Sequence, residues 1–554
     1  MRIKNLKLAN NDQLEFGDFN VFIGGNGVGK TTFLMELYAR ITDGGVNKER
    51  WKIGNPEYET TDMHRDMVLL KNSLTSKRDQ NTLFYYSQST KDINGNTEIR
   101  DPLRFTSEEL KRIETYTEPE MFKDLRIRRP FIALSSCESR LSLGDNVNIV
   151  GLDQPASDSI NVLNRDKNLF ISMDKTIFER FGIHFILLDH TRTQLFLGLS
   201  KENPPAFDNN ADNLQDEYEK IQKWKNNKFI PITESGHGRR SMIRLLTNLL
   251  DPVNQVIMID EPEMHLYPTH KRWLGQQLVK LATTQGKQVF LVTHDPIILQ
   301  GILDANIKTS IFRVDREEEA EGKIKTCQLE RLIDTNAMRN QDQYLQGLFY
   351  QRCIVVEGAS DRSFYQNIFE EYEETTDKDL GFVAAGGKDS SKHMANIVKK
   401  IGLNASFIYD FDVLLDTPFY SYIYNLFGGS TDIFSRLAQI IKQIEQRPEI
   451  SKITDPKSKQ SKLKSFIKKV GKEGLKNLWV QENIALFNEA LTEMAKLGVF
   501  IVPNGTLESW APTVEEKYRF AESAPKIVQN NEVLKKSLRD FARGVLSFVK
   551  ITLK

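Results

Sequence analysis

Cysteine is scarce in this sequence. Cys137, Cys327 and Cys353 are far apart and show no metal-ligand spacing. That argues against a disulfide-stapled scaffold or a cysteine zinc site, and for buried thiols in a reducing compartment. Long apolar runs are also missing. None approaches the roughly 18 residues of a membrane span, so no membrane partner is expected. The N-terminus, Met1-Arg-Ile-Lys-Asn-Leu-Lys-Leu, alternates apolar with polar residues and reads as a strand, not a signal peptide. The expected location is the cytoplasm. Neither charge sign is in surplus: Lys+Arg and Asp+Glu are 75 each. This excludes a globally basic nucleic-acid binder and leaves room for a local basic patch. Internal repeats and low-complexity tracts are absent as well.

What is present suits a globular protein of 40% hydrophobic and 27% charged residues. At 554 residues the chain exceeds the ~250–300 at which one core stops growing, so two or more domains are expected. From Ser235 onward β and α patterns alternate: a helix to Leu250, a strand at Gln255–Ile259, a helix at about Pro268–Thr284 and a strand at Gln288–Val292. Continuous apolar strands of this kind belong to a parallel sheet covered on both faces. A second β/α series starts at Arg352, with strands at Cys353–Val356, Leu380–Ala385 and Ala405–Tyr409. A helical stretch at about 418–497 interrupts it, and a strand at Gly498–Val502 resumes it. Domains are therefore placed at 1–345 and 350–554. Residues 43–230 read as an inserted lobe in the first, and 418–497 as a helical insertion in the second.

Gly24-Gly-Asn26-Gly27-Val-Gly29-Lys30-Thr31-Thr32 matches the P-loop pattern in full, with an apolar strand before it and a helix after it. The glycines let backbone N–H groups curl around phosphate oxygens, and the helix N-terminus adds its dipole. Lys30 would reach the β- and γ-phosphates of ATP, and Thr31 would bind Mg²⁺. Downstream, Gln255-Val-Ile-Met-Ile-Asp260-Glu261-Pro262 delivers Asp260 to hold Mg²⁺ through water and Glu261 to activate the attacking water. His294, in Val292-Thr-His-Asp295 after the next apolar strand, would contact the γ-phosphate and that water.

These motifs resemble ABC-type ATPases of the SMC, Rad50 and OLD (overcoming lysogenization defect) group. Asp260-Glu-Pro-Glu263-Met-His265-Leu266-Tyr-Pro268 looks like the Walker B and D-loop of that group. Glu234-Ser235-Gly236-His237-Gly238-Arg239 occupies the place of the ABC signature, departing from the usual Leu-Ser-Gly-Gly-Gln but keeping Ser235, Gly236 and Gly238. The resemblance implies that these three contact ATP bound to a second subunit, hence a homodimer or higher homo-oligomer. Gln88 is the candidate Q-loop residue.

In the second series, Cys353-Ile-Val-Val-Glu357-Gly358 and Phe407-Ile-Tyr-Asp410-Phe-Asp412 are strands ending in carboxylates. Period two would project Asp410 and Asp412 to one side. Hard oxygen ligands clustered this way suit Mg²⁺ or Mn²⁺, which neutralise charge when a phosphodiester is broken. The arrangement resembles the Toprim fold of OLD nucleases, topoisomerases and primases. That resemblance makes Glu357 a metal ligand or general acid/base, Asp410 and Asp412 ligands, and Glu508, after Val502-Pro-Asn-Gly505, a further ligand. Lys388, after Ala385-Gly-Gly, would face a phosphate, and Asp361 is either a ligand or a helix cap.

The fold class expected is α/β: an ABC-type (SMC/Rad50-like) P-loop ATPase domain with an inserted lobe, then a Toprim α/β domain with a helical insertion. Glu357–Tyr365 is similar to the Toprim proteins of the PARIS anti-phage system. The resemblance implies an ATP- and metal-dependent nuclease in anti-phage defence, acting on DNA or RNA (tRNA among the candidates) and answering a phage-encoded trigger. The alternative is an ATP-switched sensor or scaffold whose Toprim half binds without cutting. Lys464, Lys468 and Lys472 align at i, i+4 if their segment is helical, the spacing of a strip that tracks a phosphate backbone. A solvated face is the other reading of that strip. Trp479 and Trp510 are expected in the core.

Overall fold

The computed structural model describes residues 1–8, 13–42, 213–315, 323–329, 345–372, 380–429, 431–511 and 530–549, most of 122–208, and short pieces between 51 and 109 and at 526–528. The chain forms two compact units, Met1–Arg331 and Leu332–Lys554. No described helix is long and apolar enough to cross a membrane. Gln88 lies outside the described residues.

The first unit is built on a six-stranded sheet. Its order is Ile132–Ser135, Val256–Asp260, Gln288–Val292, Phe19–Ile23, Thr309–Asp315 and Lys323–Leu329. The first five strands run parallel, and the last turns back antiparallel on the edge. Phe19–Ile23, Val256–Asp260 and Gln288–Val292 are buried along their whole length, and one face packs on the helix Lys30–Thr42 and on Ile3, Leu6 and Leu14 of the N-terminal strands. Phe22 anchors the core: it stacks on Phe312 at 4.8 Å between ring centres and meets Phe33 of the helix Lys30–Thr42 at 5.1 Å.

Two described segments of the stretch 43–230, read as an inserted lobe, pair with strands of the main body of the unit. Ile132–Ser135 pairs with Val256–Ile259 inside the main sheet, and Glu57–Glu59 pairs with Arg2–Lys7. The remainder includes a smaller antiparallel sheet of Asn146–Asn148, Gln194–Ser200, His184–Leu188 and Ile230–Pro231, with the helices Lys167–Phe181 and Leu214–Lys228. A chain excursion returns to the sheet whenever it carries a strand whose apolar residues need both faces covered, and Phe131 and Ile132 are such residues, each nearly fully buried.

The second unit has a four-stranded parallel sheet of order Leu380–Ala384, Arg352–Val356, Asn404–Tyr409 and Val499–Ile501. The chain moves to one side after Arg352–Val356 and to the other for Asn404–Tyr409. The point where the order reverses therefore lies between those two strands, and open α/β sheets bind ligands at the carboxyl ends there. Glu357 and Asp410 are the residues that follow these strand ends. Helices fill 417–496 as expected, and the long one runs Pro456–Glu473. Trp510, fully buried, donates its Nε1–H to Tyr365 Oη at 3.1 Å, and Trp479 is also buried.

Candidate functional sites

In the first unit the phosphate loop joins the strand Phe19–Ile23 to the helix Lys30–Thr42. Gly24, Gly27 and Gly29 all have positive φ. At Gly24 a side chain would strike the Val314 carbonyl oxygen at 2.3 Å, so the loop needs glycine there for room as well as for φ. Asn26 and Gly27 are exposed at the loop tip. Beneath the loop, Trp51 donates its Nε1–H to Gly29 O at 3.2 Å and packs on Phe33. The Lys30 ammonium curls back onto Gly24 O (2.9 Å) and Gly25 O (2.7 Å). Burial pulls it down to about 8, against the pull of Glu261, Glu263 and Asp260. Thr31 Oγ1 donates to Asp260 Oδ1 at 2.9 Å, which joins two of the expected Mg²⁺ ligands; Thr32 follows on the same helix turn.

Glu261 has φ +45°, in the left-handed region that costs a non-glycine residue on the order of 1–3 kcal/mol. Bonds on both sides hold it there: Glu261 N donates to Val292 O at 2.9 Å, and Arg140 donates to Glu261 O at 2.7 Å. Its Oε1 lies 3.0 Å from His294 Nε2. Burial, with Lys30 nearby, lowers His294 to about 4, so the ring is a neutral partner of the carboxylate near neutral pH. Glu263 accepts from Thr293 Oγ1 and His294 N, both at 2.8 Å, and fixes the backbone that carries the imidazole.

Two positioning residues were not legible in the sequence. One is Trp51. The other is Arg140, fully buried, whose guanidinium donates to Ser135 O (2.6 Å), Asp260 O (2.8 Å), Glu261 O and Ser241 Oγ (2.8 Å). It ties the end of the Asp260 strand to the helix His237–Leu250. Nothing local in Ser-Cys-Glu-Ser-Arg signals that role. Ser235, Gly236 and Gly238 stand at the start of that same helix: Gly236 is its exposed N-cap with φ +87°, and no side chain caps it. Gly238 packs so closely on His265 O that a side chain would sit at 2.5 Å.

In the second unit Glu357, Asp410, Asp412 and Glu508 converge. Asp410 N donates to Glu357 Oε1 at 3.1 Å, which places the Glu357 carboxylate against the neighbouring strand end. Asp410 Oδ1 accepts from Leu507 N at 3.1 Å, which brings up the turn carrying Glu508. Asp361 accepts from Gly358 N at 3.1 Å. It acts as a cap of the helix Ala359–Tyr372 and still faces the cluster. Asp410 is pushed up to about 9, first by burial and then by Glu357, Asp361, Asp412 and Glu508. Burial, with Asp412 and Asp361, pushes Glu357 up to about 7.

Two expectations are corrected. Asp410 and Asp412 do not share a strand face. The ladder with Val499–Ile501 ends at Tyr409, and Phe411–Leu415 coils into a 3₁₀ helix that holds Asp412. Lys388 does not stand free for a phosphate: its Nζ lies 2.6 Å from Asp412 Oδ2. The other oxygen, Asp412 Oδ1, is buried with no hydrogen-bond partner. Among the described residues no three acidic, His or Cys side chains are already set to grip an ion. The donor chemistry nevertheless fits a hard divalent cation: oxygen donors only, mutually repelling, one of them orphaned.

Known proteins resemble this chain in sequence. Residues 19–300, just over half of the chain, match the family described as an AAA domain, putative AbiEii toxin of a type IV toxin–antitoxin system. The chain belongs to this AAA-domain family. Residues 348–412 match the overcoming-lysogenization-defect-like Toprim domain. Curated relatives include an OLD nuclease of Thermus scotoductus, 24% identical over 35% of this chain and 38% of its own length. Endonuclease GajA of Bacillus cereus is 23% identical over 33% of this chain and 31% of that protein. The Old nuclease of Escherichia phage P2 is 25% identical over 33% and 34%. The match thus spans about a third of these relatives' length. An SMC head bound to the C-winged helix domain of ScpA aligns with a TM-score of 0.34 at 11% identity, covering 60% of this chain and all of that one.

Proposed function

We propose that this chain is an ATP-dependent, divalent-metal-dependent nuclease, in which the ATPase unit controls a phosphodiesterase site in the Toprim unit. The observation that carries the reading is the meeting of Glu357 with Asp410 at the point of strand-order reversal, beside the orphaned Asp412 Oδ1. Carboxylates forced together with their ionised forms disfavoured are a group that a cation stabilises. Glu357, Asp410, Asp412 and Glu508 would hold Mg²⁺ or Mn²⁺. When bound, the ion supplies positive charge against the phosphate oxygens. Glu357 is either one of these ligands or the group that takes or returns a proton at its carboxylate oxygen. Lys388 holds Asp412 in place and keeps one positive charge beside the phosphate path.

In the ATPase unit, Lys30 and the loop amides around Asn26, Gly27 and Gly29 bind the phosphates of ATP. Thr31 and Asp260 hold Mg²⁺, and Thr32 follows on the helix. Glu261 accepts the proton of the attacking water with His294 beside it. The uncapped start of His237–Leu250, with Ser235, Gly236 and Gly238, offers amides to ATP on a second copy, which makes a homodimer the working unit. Likeness to proteins named nucleases, together with the PARIS-like Glu357–Tyr365 segment, supports a cytoplasmic role in anti-phage defence with a phage-encoded trigger. The test is purified wild type beside Asp410→Ala, with ATP and Mg²⁺ or Mn²⁺, on plasmid DNA and tRNA. Cleavage by the wild type alone is expected; equal cleavage by both sinks the site. No cleavage by either, with intact nucleic-acid binding, would favour the sensor alternative.

A further inference from the structure

The helix Pro456–Glu473 carries lysines in a pattern that the carboxylate chemistry does not use. At 3.6 residues per turn, Lys457, Lys464, Lys468 and Lys472 fall within about 80° of arc, and they span 16 residues, about 22 Å along the helix. All four are exposed. No ion pair among the described residues takes them up; their neighbour Lys469 reaches Glu473 at 3.9 Å. The opposite face is core: Val470 is fully buried and Phe466 packs edge-on to Trp479.

This helix does not stand away from the site. Gly471 borders the lysine arc, and a side chain there would strike Asp412 Cβ at 2.7 Å. A side chain at Gly505, in the turn that carries Glu508, would strike the Lys472 carbonyl at 1.9 Å. Leu475 N donates to Pro503 O at 2.8 Å. Glycines at the contacts and a backbone bond beside them seat the C-terminal end of the helix against two of the proposed ligands. The lysine row begins there and runs outward.

We propose that this helix is a substrate ridge, resting on the nuclease reading of the adjacent site: Lys457, Lys464, Lys468 and Lys472 hold the phosphate backbone of a double-stranded nucleic acid and lead it to the Asp412 side of the cluster. Charge complementarity selects a polyanion. Single strands are held largely by aromatic stacking, and the one aromatic residue of this helix, Phe466, is turned into the core. A straight row of cations suits a regular backbone, which presents one charge per ~1.7 Å of duplex axis.

The experiment uses the full chain without divalent cations. Wild type and a Lys464→Gln/Lys468→Gln/Lys472→Gln variant are titrated onto labelled duplex DNA, duplex RNA and single strands over a range of salt. The variant should bind duplex at least about tenfold more weakly, and its log–log salt slope should fall by about 2–3, near 0.9 per lost phosphate contact. Lys535→Gln/Lys536→Gln, on the helix Glu532–Phe548, should leave the slope as it is. The DNA and RNA arms show which duplex is preferred. Unchanged duplex binding in the triple variant overturns the ridge, as does a loss confined to single strands or a wild type that binds no duplex. If the triple variant melts early, the three single substitutions carry the test, each with a slope change near 0.9. Adding ATP with Mg²⁺ or Mn²⁺ separates the two readings. Ridge-dependent binding without any cleavage keeps the ridge and removes the nuclease, whereas cleavage with unchanged binding in the variant removes the ridge alone.

Discussion

In the first unit, Asp260, Glu261 and Glu263 stand among two buried cations, Lys30 and Arg140. In the second, Glu357, Asp361, Asp410, Asp412 and Glu508 crowd one another, and Asp412 pairs with Lys388. The consequence shows in the charges. Three carboxylates hold up the proton affinity of Lys30 against burial, while Asp410 is driven far above the ordinary carboxylate range. A pocket for an anionic ligand brings its own cation. A pocket for a cation leaves its acids in mutual repulsion until the ion arrives. The two sites should therefore answer differently to charge removal and pH.

The largest test of that contrast is a pair of substitutions. Asp410→Asn should lower nucleic-acid cleavage by about 10²-fold or more while ATP turnover persists, and Lys30→Ala should abolish turnover. Parallel assays of phosphate release and cleavage check both; loss of turnover in Asp410→Asn would break the separation. Next comes the metal. Saturating Mg²⁺ or Mn²⁺, at about a hundred times Kd, should stabilise the second unit by ~2.7 kcal/mol, read as a raised melting transition that Asp410→Asn and Asp412→Asn weaken.

The pH dependence follows in sign. Glu357 and Asp410 have raised pKa values in the fold, so between the ordinary carboxylate range and about 7 for Glu357, or about 9 for Asp410, the folded state binds more protons than the unfolded one. Without metal, stability should fall as pH rises through that window, and it should be fully present below it. Melting curves across pH check this, and Asp410→Asn should remove the fall between about 7 and about 9 while the Glu357 part below it persists. Arg140→Met should cost about 1–3 kcal/mol, because it removes the guanidinium bonds to the buried Ser135 and Asp260 carbonyls and to the Glu261 carbonyl. Denaturant titration measures the loss, and ATP turnover should fall with it. The smallest expected effect is Gly471→Ala. It pushes the lysine helix off Asp412 and should slow cleavage by about tenfold, since small misplacements at a reacting centre are costly. Unaltered cleavage there would mean that the helix tolerates a shift.

Much of this chain is written locally. The strand Gln288–Val292 and the helix Pro268–Thr284 stand as their apolar spacing requires, and the strand Arg352–Val356 begins one residue before its expected start. The phosphate loop, its Thr31 and the Asp260–Glu261 pair were legible because each motif lies within one strand–turn–helix unit. Asp412 was misread as a strand residue because the ladder partner that ends at Ile501 lies far off in sequence. Arg140 was invisible because its acceptors are carbonyls, which every residue has.

The sequence alone determined the two α/β series, the order of their motifs and the residues proposed to hold phosphate or a cation, since these depend on side-chain type and short-range spacing. Tertiary structure decided that Ile132–Ser135 joins the main sheet, that Glu357 leans on Asp410, that Lys388 takes Asp412, and that the lysine helix is seated on the same spot. Those outcomes rest on strand order and on close backbone approach at glycines, which bring together residues dozens to more than a hundred positions apart.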